Sequence, residues 1–174
     1  RYRSLGRYSV PMVIRAPFGG GVHGALYHSQ SVEAFFTHIP GLKVVIPSTP
    51  YDAKGLLRSA IRDDDPVLFF EHKKMYRSVR GDVPAIDFTV PLGRAVVRRA
   101  GRQVTLVAYG LMVHYALEAA ERVAGEGIDC EVIDLRSLRP LDRETLLSSV
   151  RKTGKCLIAY EDNRFGGYGA EIAA

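Results

Sequence analysis

At 174 residues, with 47% hydrophobic and 25% charged side chains, the chain can bury a core and lies outside the compositions of disordered or fibrous proteins. Its net charge of +5 is scattered, with only short groups such as His72-Lys73-Lys74 and Arg98-Arg99, so it offers no basic stripe for nucleic acid. No apolar stretch approaches the roughly 18 residues of a membrane span. Cys130 and Cys156 have neither CxxC nor metal-ligand spacing and read as small buried hydrophobes in a reducing compartment.

Residues 1–10 are polar and basic, and 12–16 read as the first strand. The glycine loop Gly19-Gly20-Gly21 leads into His23, His28, Ser29 and Gln30, and a short helix over 31–37 stops at Pro40-Gly41. Residues 42–46 are rich in β-branched side chains and bounded by Gly41 and Pro47, hence a buried strand. Ser48 or Thr49 caps the next helix, with Pro50 at its first position and Asp52 in its first turn. Leu56, Leu57, Ala60 and Ile61 recur at helical spacing until Asp63-Asp64-Asp65-Pro66 ends the helix, and 67–70 form the next strand.

Residues 73–88 have few periodic apolar positions and form a candidate linker. Beyond them the alternation resumes: strands over 95–97 and 104–109, a helix over 113–124, a strand over 130–135. A helix over 143–150 capped by Asp142, a strand over 156–160 and a helix opening near Gly169 complete it. This is an α/β chain, with mostly parallel sheets covered by helices on both faces. It starts at Arg1 and stops at Ala174 inside a helical pattern, so it is expected to be a piece of a longer polypeptide lacking both ends.

Gly19-x-Gly21-x-x-Gly24 formally matches a dinucleotide fingerprint, but no helix opens at the glycines and no acid ends the following strand, where Val45 and Ile46 stand. The glycines serve better in a loop that lies close against a ligand or subunit. His28 can move a proton near neutral pH, and the His28-Ser29-Gln30 junction can face a carboxylate or phosphate; alternatively His28 only caps the helix. His23 reads as loop structure, and His38, His72 and His114 as surface or satisfied core residues. The Asp63-Asp64-Asp65 run is either a solvated helix end or a cation site made with the free carbonyls there. Glu161-Asp162-Asn163 with Gly166-Gly167-x-Gly169 forms a second glycine loop after a strand, without a nucleophile–base pair. GxSxG, HExxH and Walker motifs do not occur.

Several of these stretches together carry a resemblance. His23-Gly24-Ala25-Leu26-Tyr27-His28-Ser29-Gln30-Ser31-Val32-Glu33-Ala34-Phe35-Phe36 closely resembles the beta subunit of the thiamin-diphosphate-dependent 2-oxo acid dehydrogenases. So do Pro40-Gly41-Leu42-Lys43-Val44-Val45-Ile46-Pro47-Ser48, Asp65-Pro66-Val67-Leu68-Phe69-Phe70-Glu71, Glu131-Val132-Ile133-Asp134-Leu135-Arg136 and Gly166-Gly167-Tyr168-Gly169-Ala170-Glu171-Ile172. The wording before His28 is most similar to the branched-chain (2-oxoisovalerate) type.

The resemblance implies a three-layer αβα architecture. Residues 1–80 would be the second half of a thiamin pyrimidine-binding domain, 81–92 a linker, and 93–174 a truncated transketolase C-terminal-like domain. It implies oxidative decarboxylation of a 2-oxo acid with acyl transfer to lipoamide, in an alpha2-beta2 heterotetramer that docks on a lipoyl-bearing acyltransferase core. Thiamin diphosphate and magnesium would be shared with the alpha subunit, and the cofactor-activating glutamate would lie upstream of Arg1, so no cofactor-binding residue is assigned here. His28 takes the family's active-site histidine position, with His28, Ser29 and Gln30 in the substrate pocket, and Ala60, Asp63 and Asp65 would bind potassium. The expected compartment is the cytoplasm of a bacterium or the mitochondrial matrix of a eukaryote. The piece alone is expected to be inactive. A pyruvate or acetoin dehydrogenase beta subunit, or a non-catalytic subunit-pairing and docking module, are the alternatives.

Overall fold

The structure, a computed structural model, describes residues 2–174. In the first half, β1 (Val13–Phe18), α1 (Glu33–Thr37), β2 (Lys43–Val45), α2 (Pro50–Ile61), β3 (Val67–His72) and α3 (Met75–Ser78) follow in order. The second half continues with β4 (Val96–Arg99), β5 (Val104–Ala108), α4 (Leu111–Ala124), β6 (Cys130–Asp134), β7 (Ser137–Arg139), α5 (Arg143–Thr153), β8 (Cys156–Ala159) and α6 (Gly169–Ala173).

Two four-stranded sheets result, ordered β1-β3-β2-β7 and β4-β6-β5-β8. In the first, β3 is flanked by parallel neighbours, with Val13 to Phe18 aligned against Val67 to His72. Val67, Leu68, Phe69 and Phe70 are all buried, as a run without alternation requires of a strand covered on both faces. In the second, β5 lies between parallel β6 and β8, and β4 runs antiparallel at the edge.

Local chemistry sets the helices that cover the sheets. The Thr49 hydroxyl accepts the Asp52 amide, and Pro50 opens α2 where its missing N–H costs nothing. Leu56 and Ala60 then pack on Val45, Val67 and Phe69. Asp142 caps α5 by accepting the Thr145 amide, and Gly154 ends it in the left-handed conformation. Val113, Ala116 and Ala120 of α4 pack on Leu106, Ala108 and Val132.

Several features depart from the sequence reading. β7, from the second half, pairs antiparallel with β2 in the first sheet, where Val44 faces Arg139 and Val45 faces Ser137. The two sheets also share one core: Phe18, Val44, Ile46 and Phe70 of the first meet Val107, Tyr109 and Ile133 of the second. Within the candidate linker, residues 73–88, lies the short helix α3, and the segment that follows it is strapped along α2. The Val90 amide donates to the Gly55 carbonyl at 3.1 Å, and Phe88 stacks on Tyr51 at 4.4 Å. A side chain at Gly55 would overlap Val90, so the strap fits only a glycine-faced helix. Cys156 is exposed rather than buried, because β8 is an edge strand.

A polar tie fixes the halves together. Arg136 Nη1 donates to Asp52 Oδ1 at 3.0 Å, and Arg98 bridges Asp52 and Asp134. Burial alone would raise the Asp52 carboxyl, but the Thr49 hydroxyl and the Arg98 and Arg136 guanidinium groups outweigh it and hold it below the usual range.

Candidate functional site

The glycine loop joins the carboxyl end of β1 to α1, where open α/β sheets place their ligand crevices. The Gly19 amide donates to the Gln30 carbonyl at 2.9 Å and closes the loop at its base. Gly19 and Gly21 have φ of +82°, and His23 and Ala25 also fall in the left-handed region, at +55° and +54°. A single 3-10 turn, Leu26–His28, then delivers His28 to the surface.

His28 Nδ1 lies 3.5 Å from the Lys73 ammonium, which follows β3. His28, Gln30 and Lys73 line one small cavity of about 150 Å³, walled by Pro17, Phe18 and Val32. Ser29 does not line it; it borders a shallow hollow with His23, Leu26 and Gln30 instead. With an ammonium facing Nδ1, the neutral imidazole carries its proton on Nε2. The cavity is smaller than the roughly 300–1,000 Å³ of cofactor pockets and has no carboxylate in its lining. Its donors fit an anion.

Behind the loop, His72 is buried, and its Nε2–H donates to Glu161 Oε2 at 2.7 Å. Glu161 Oε1 also accepts the Gly20 amide at 3.4 Å. Burial alone would raise the Glu161 carboxyl; the His72 imidazole, the Gly20 amide and the Lys74 charge reverse this and hold it low. Beside it, fully buried Glu33 accepts the Tyr109 hydroxyl at 2.8 Å, while its Oε2 has no partner among the described residues. Burial pushes the Glu33 carboxyl up, and the charges of Asp162 and Glu161 add to that. The sequence reading passed over Lys73, Glu33 and the His72–Glu161 pair. In the sequence, His72-Lys73-Lys74 stands out as charge, His72 as a surface or satisfied core residue, and Glu161 as part of a second glycine loop, with nothing to join them.

The residues expected to bind potassium lie before the other end of β3. Asp63 and Asp65 come together around Lys43, whose Nζ is 2.6 Å from Asp63 and 3.3 Å from Asp65. The Ala60 carbonyl accepts the Asp63 amide at 3.3 Å. Burial lowers the Lys43 ammonium, but the hydrogen bonds and charges of Asp63 and Asp65 outweigh it and hold it above the ordinary lysine value. The carboxylates therefore already carry a cation, and an added potassium ion would have to rely on backbone carbonyls or displace Lys43. Among the described residues, no group of three His, Cys, Asp or Glu side chains is arranged to hold a metal, and no helix is long and apolar enough to cross a membrane.

The transketolase pyrimidine binding domain family matches residues 1–79, and the transketolase C-terminal domain family matches residues 93–174. The 2-oxoisovalerate dehydrogenase subunit beta of Bacillus subtilis (strain 168) is 58% identical over 174 residues, covering all of this chain and 53% of that relative. The pyruvate dehydrogenase E1 component subunit beta of the same organism is 51% identical over 174 residues and is covered to 54%. A solved structure described as a split gene transketolase, inactive beta4 tetramer, matches with a TM-score of 0.78 at 32% identity, over 95% of this chain and 53% of that one. The chain spans about half the length of the curated relatives it matches. Residues 1–79 thus belong to the transketolase pyrimidine binding domain family and residues 93–174 to the transketolase C-terminal domain family, in a chain similar throughout to the beta subunits of 2-oxo acid dehydrogenases.

Proposed function

We propose that this chain works as part of the beta subunit of the decarboxylating component of a branched-chain 2-oxo acid dehydrogenase complex. Residues 1–80 would serve as the second half of its thiamin pyrimidine-binding domain, 81–92 as the connection, and 93–174 as a transketolase C-terminal-like domain. The observation that carries the reading is the cavity in which His28, Gln30 and Lys73 converge on an anion-sized space. The higher identity to the 2-oxoisovalerate relative, 58% against 51%, favours a branched acid over pyruvate.

On this reading the Lys73 ammonium and the Gln30 amide hold the substrate carboxylate by charge-assisted and neutral hydrogen bonds. His28 keeps its Nε2 proton toward the reacting carbonyl or the incoming lipoyl sulfur, oriented from behind by Lys73 at Nδ1. Phe18 and Val32 keep water off that wall. Thiamin diphosphate, held with magnesium largely by an alpha subunit in an alpha2-beta2 assembly, would supply the electron sink for loss of carbon dioxide. Potassium would bind at the α2 terminus through the Ala60 carbonyl and, once Lys43 is displaced, Asp63 and Asp65. The acyl group would leave to the lipoyl arm of an acyltransferase core.

The test is carbon dioxide release by the full-length chain assembled with its alpha subunit, comparing 2-oxoisovalerate with pyruvate. Preference for the branched acid is expected. H28A should lower kcat/KM at least about 100-fold, a typical loss for a proton-transfer group. K73M should instead raise KM about 10-fold or more, because a hydrogen bond to charge is removed. A preference for pyruvate would keep the chemistry and shift the substrate to the type of the second relative.

A further inference from the structure

The loop that carries His28 is poorly supported by itself. Leu26 and Tyr27 are more than four-fifths exposed, and four of the seven residues from 19 to 25 sit in the left-handed region. Its support comes from outside, and much of it from the second half of the chain. Glu161, just beyond β8, accepts the Gly20 amide with one oxygen and the His72 Nε2–H with the other. The His72 ring fills the space at Gly19 where a side chain would stand. Its Nδ1 has no partner, so Glu161 takes the one hydrogen bond that the described residues give this buried imidazole. The residue after His72 is Lys73, whose ammonium faces His28.

We propose that Glu161 is a positioning residue: through His72 and the Gly20 amide it fixes the base of the glycine loop and thereby the placement of His28 against Lys73. Removing the carboxylate strips the buried imidazole of its acceptor and frees the Gly20 amide together, so the ring loses its reason to stay against Gly19. The loop then relaxes from its left-handed conformations, and the His28–Lys73 geometry goes with it. The activity part of this inference rests on the proposed function; the loop part does not.

Two readouts on the full-length chain assembled with its alpha subunit test it. The first is backbone amide exchange over residues 19–31, the second kcat/KM on the better 2-oxo acid. E161A should speed exchange in the loop at least about tenfold, leave β3 unchanged, and lower kcat/KM by a similar factor. E161Q, with one acceptor oxygen for two donors, should fall between E161A and the parent in both readouts, and it remains informative if E161A fails to assemble. Loop exchange at the parent rate in E161A, or in E161Q should E161A not assemble, overturns the proposal. Faster loop exchange in E161A, where the parent assembly itself turns over no 2-oxo acid, supports the positioning link and sinks the proposed function alone.

Discussion

Gly19 and Gly127 share a backbone conformation, with φ of +82° and +83°, but not their surroundings. An alanine at 127 meets nothing within 4 Å, so G127A should cost about 1–2 kcal/mol, the penalty of a left-handed residue with a Cβ. An alanine at 19 carries the same penalty and also overlaps the His72 imidazole. That ring is buried and held by Glu161, so it cannot swing aside without abandoning its hydrogen bond. Overpacking of this kind adds about 1–3 kcal/mol. At about 2–4 °C per kcal/mol for roughly 150–250 residues, and less for a longer chain, G19A should melt a few degrees below G127A. Thermal melts of the two full-length variants, followed by circular dichroism under one condition, give the comparison. Equal melting temperatures would refute the reasoning, because they would mean that His72 yields without cost. G19A should also speed amide exchange in the loop, whereas G127A should not.

The buried Glu33–Tyr109 pair gives a pH-dependent prediction. Glu33 has its folded-state pKa raised, so the folded chain binds more protons than the unfolded one from about pH 4.5 upward, and stability falls as pH rises through that window. Y109F removes the hydroxyl that favours the charged form, so its melting temperature should fall further below the parent at pH 8 than at pH 5; an equal loss at both would show that Glu33 does not titrate there. At the α2 terminus, K43M should cost about 1 kcal/mol and make stability respond to potassium over sodium at constant ionic strength. No potassium-specific shift in K43M would remove the ion from this site.

The elements that local chemistry specifies were legible in the sequence. Thr49, Pro50 and Asp52 announce the start of α2, and Asp142 that of α5, because caps depend on residues three apart. Buried strands such as Val67–His72 announce themselves by β-branched and aromatic runs. β7 did not: Ser137, Leu138 and Arg139 are too few to show a period, and nothing local says that they cross to the other sheet. Cys156 sits in an apolar run like any central strand, and only the sheet order makes it an edge. His28 stood out as a candidate because its neighbours carry a family pattern. The pairing of Glu161 with His72 was not legible, since the two are 89 residues apart and meet only once both sheets have formed. Lys43 neutralises Asp63 and Asp65 from 20 residues upstream, which turned an open acidic cluster into an occupied one.

The crossing of β7 into the first sheet bears on how the candidate site could open. In many two-domain enzymes a hinge lets the halves swing apart and admit substrate. Here such a swing would have to break the β2–β7 ladder, including the Ile46 amide on the Arg136 carbonyl at 2.7 Å, and pull Leu138 from the common core. The halves are therefore geared as one body, and any gating around His28 is left to the loop itself.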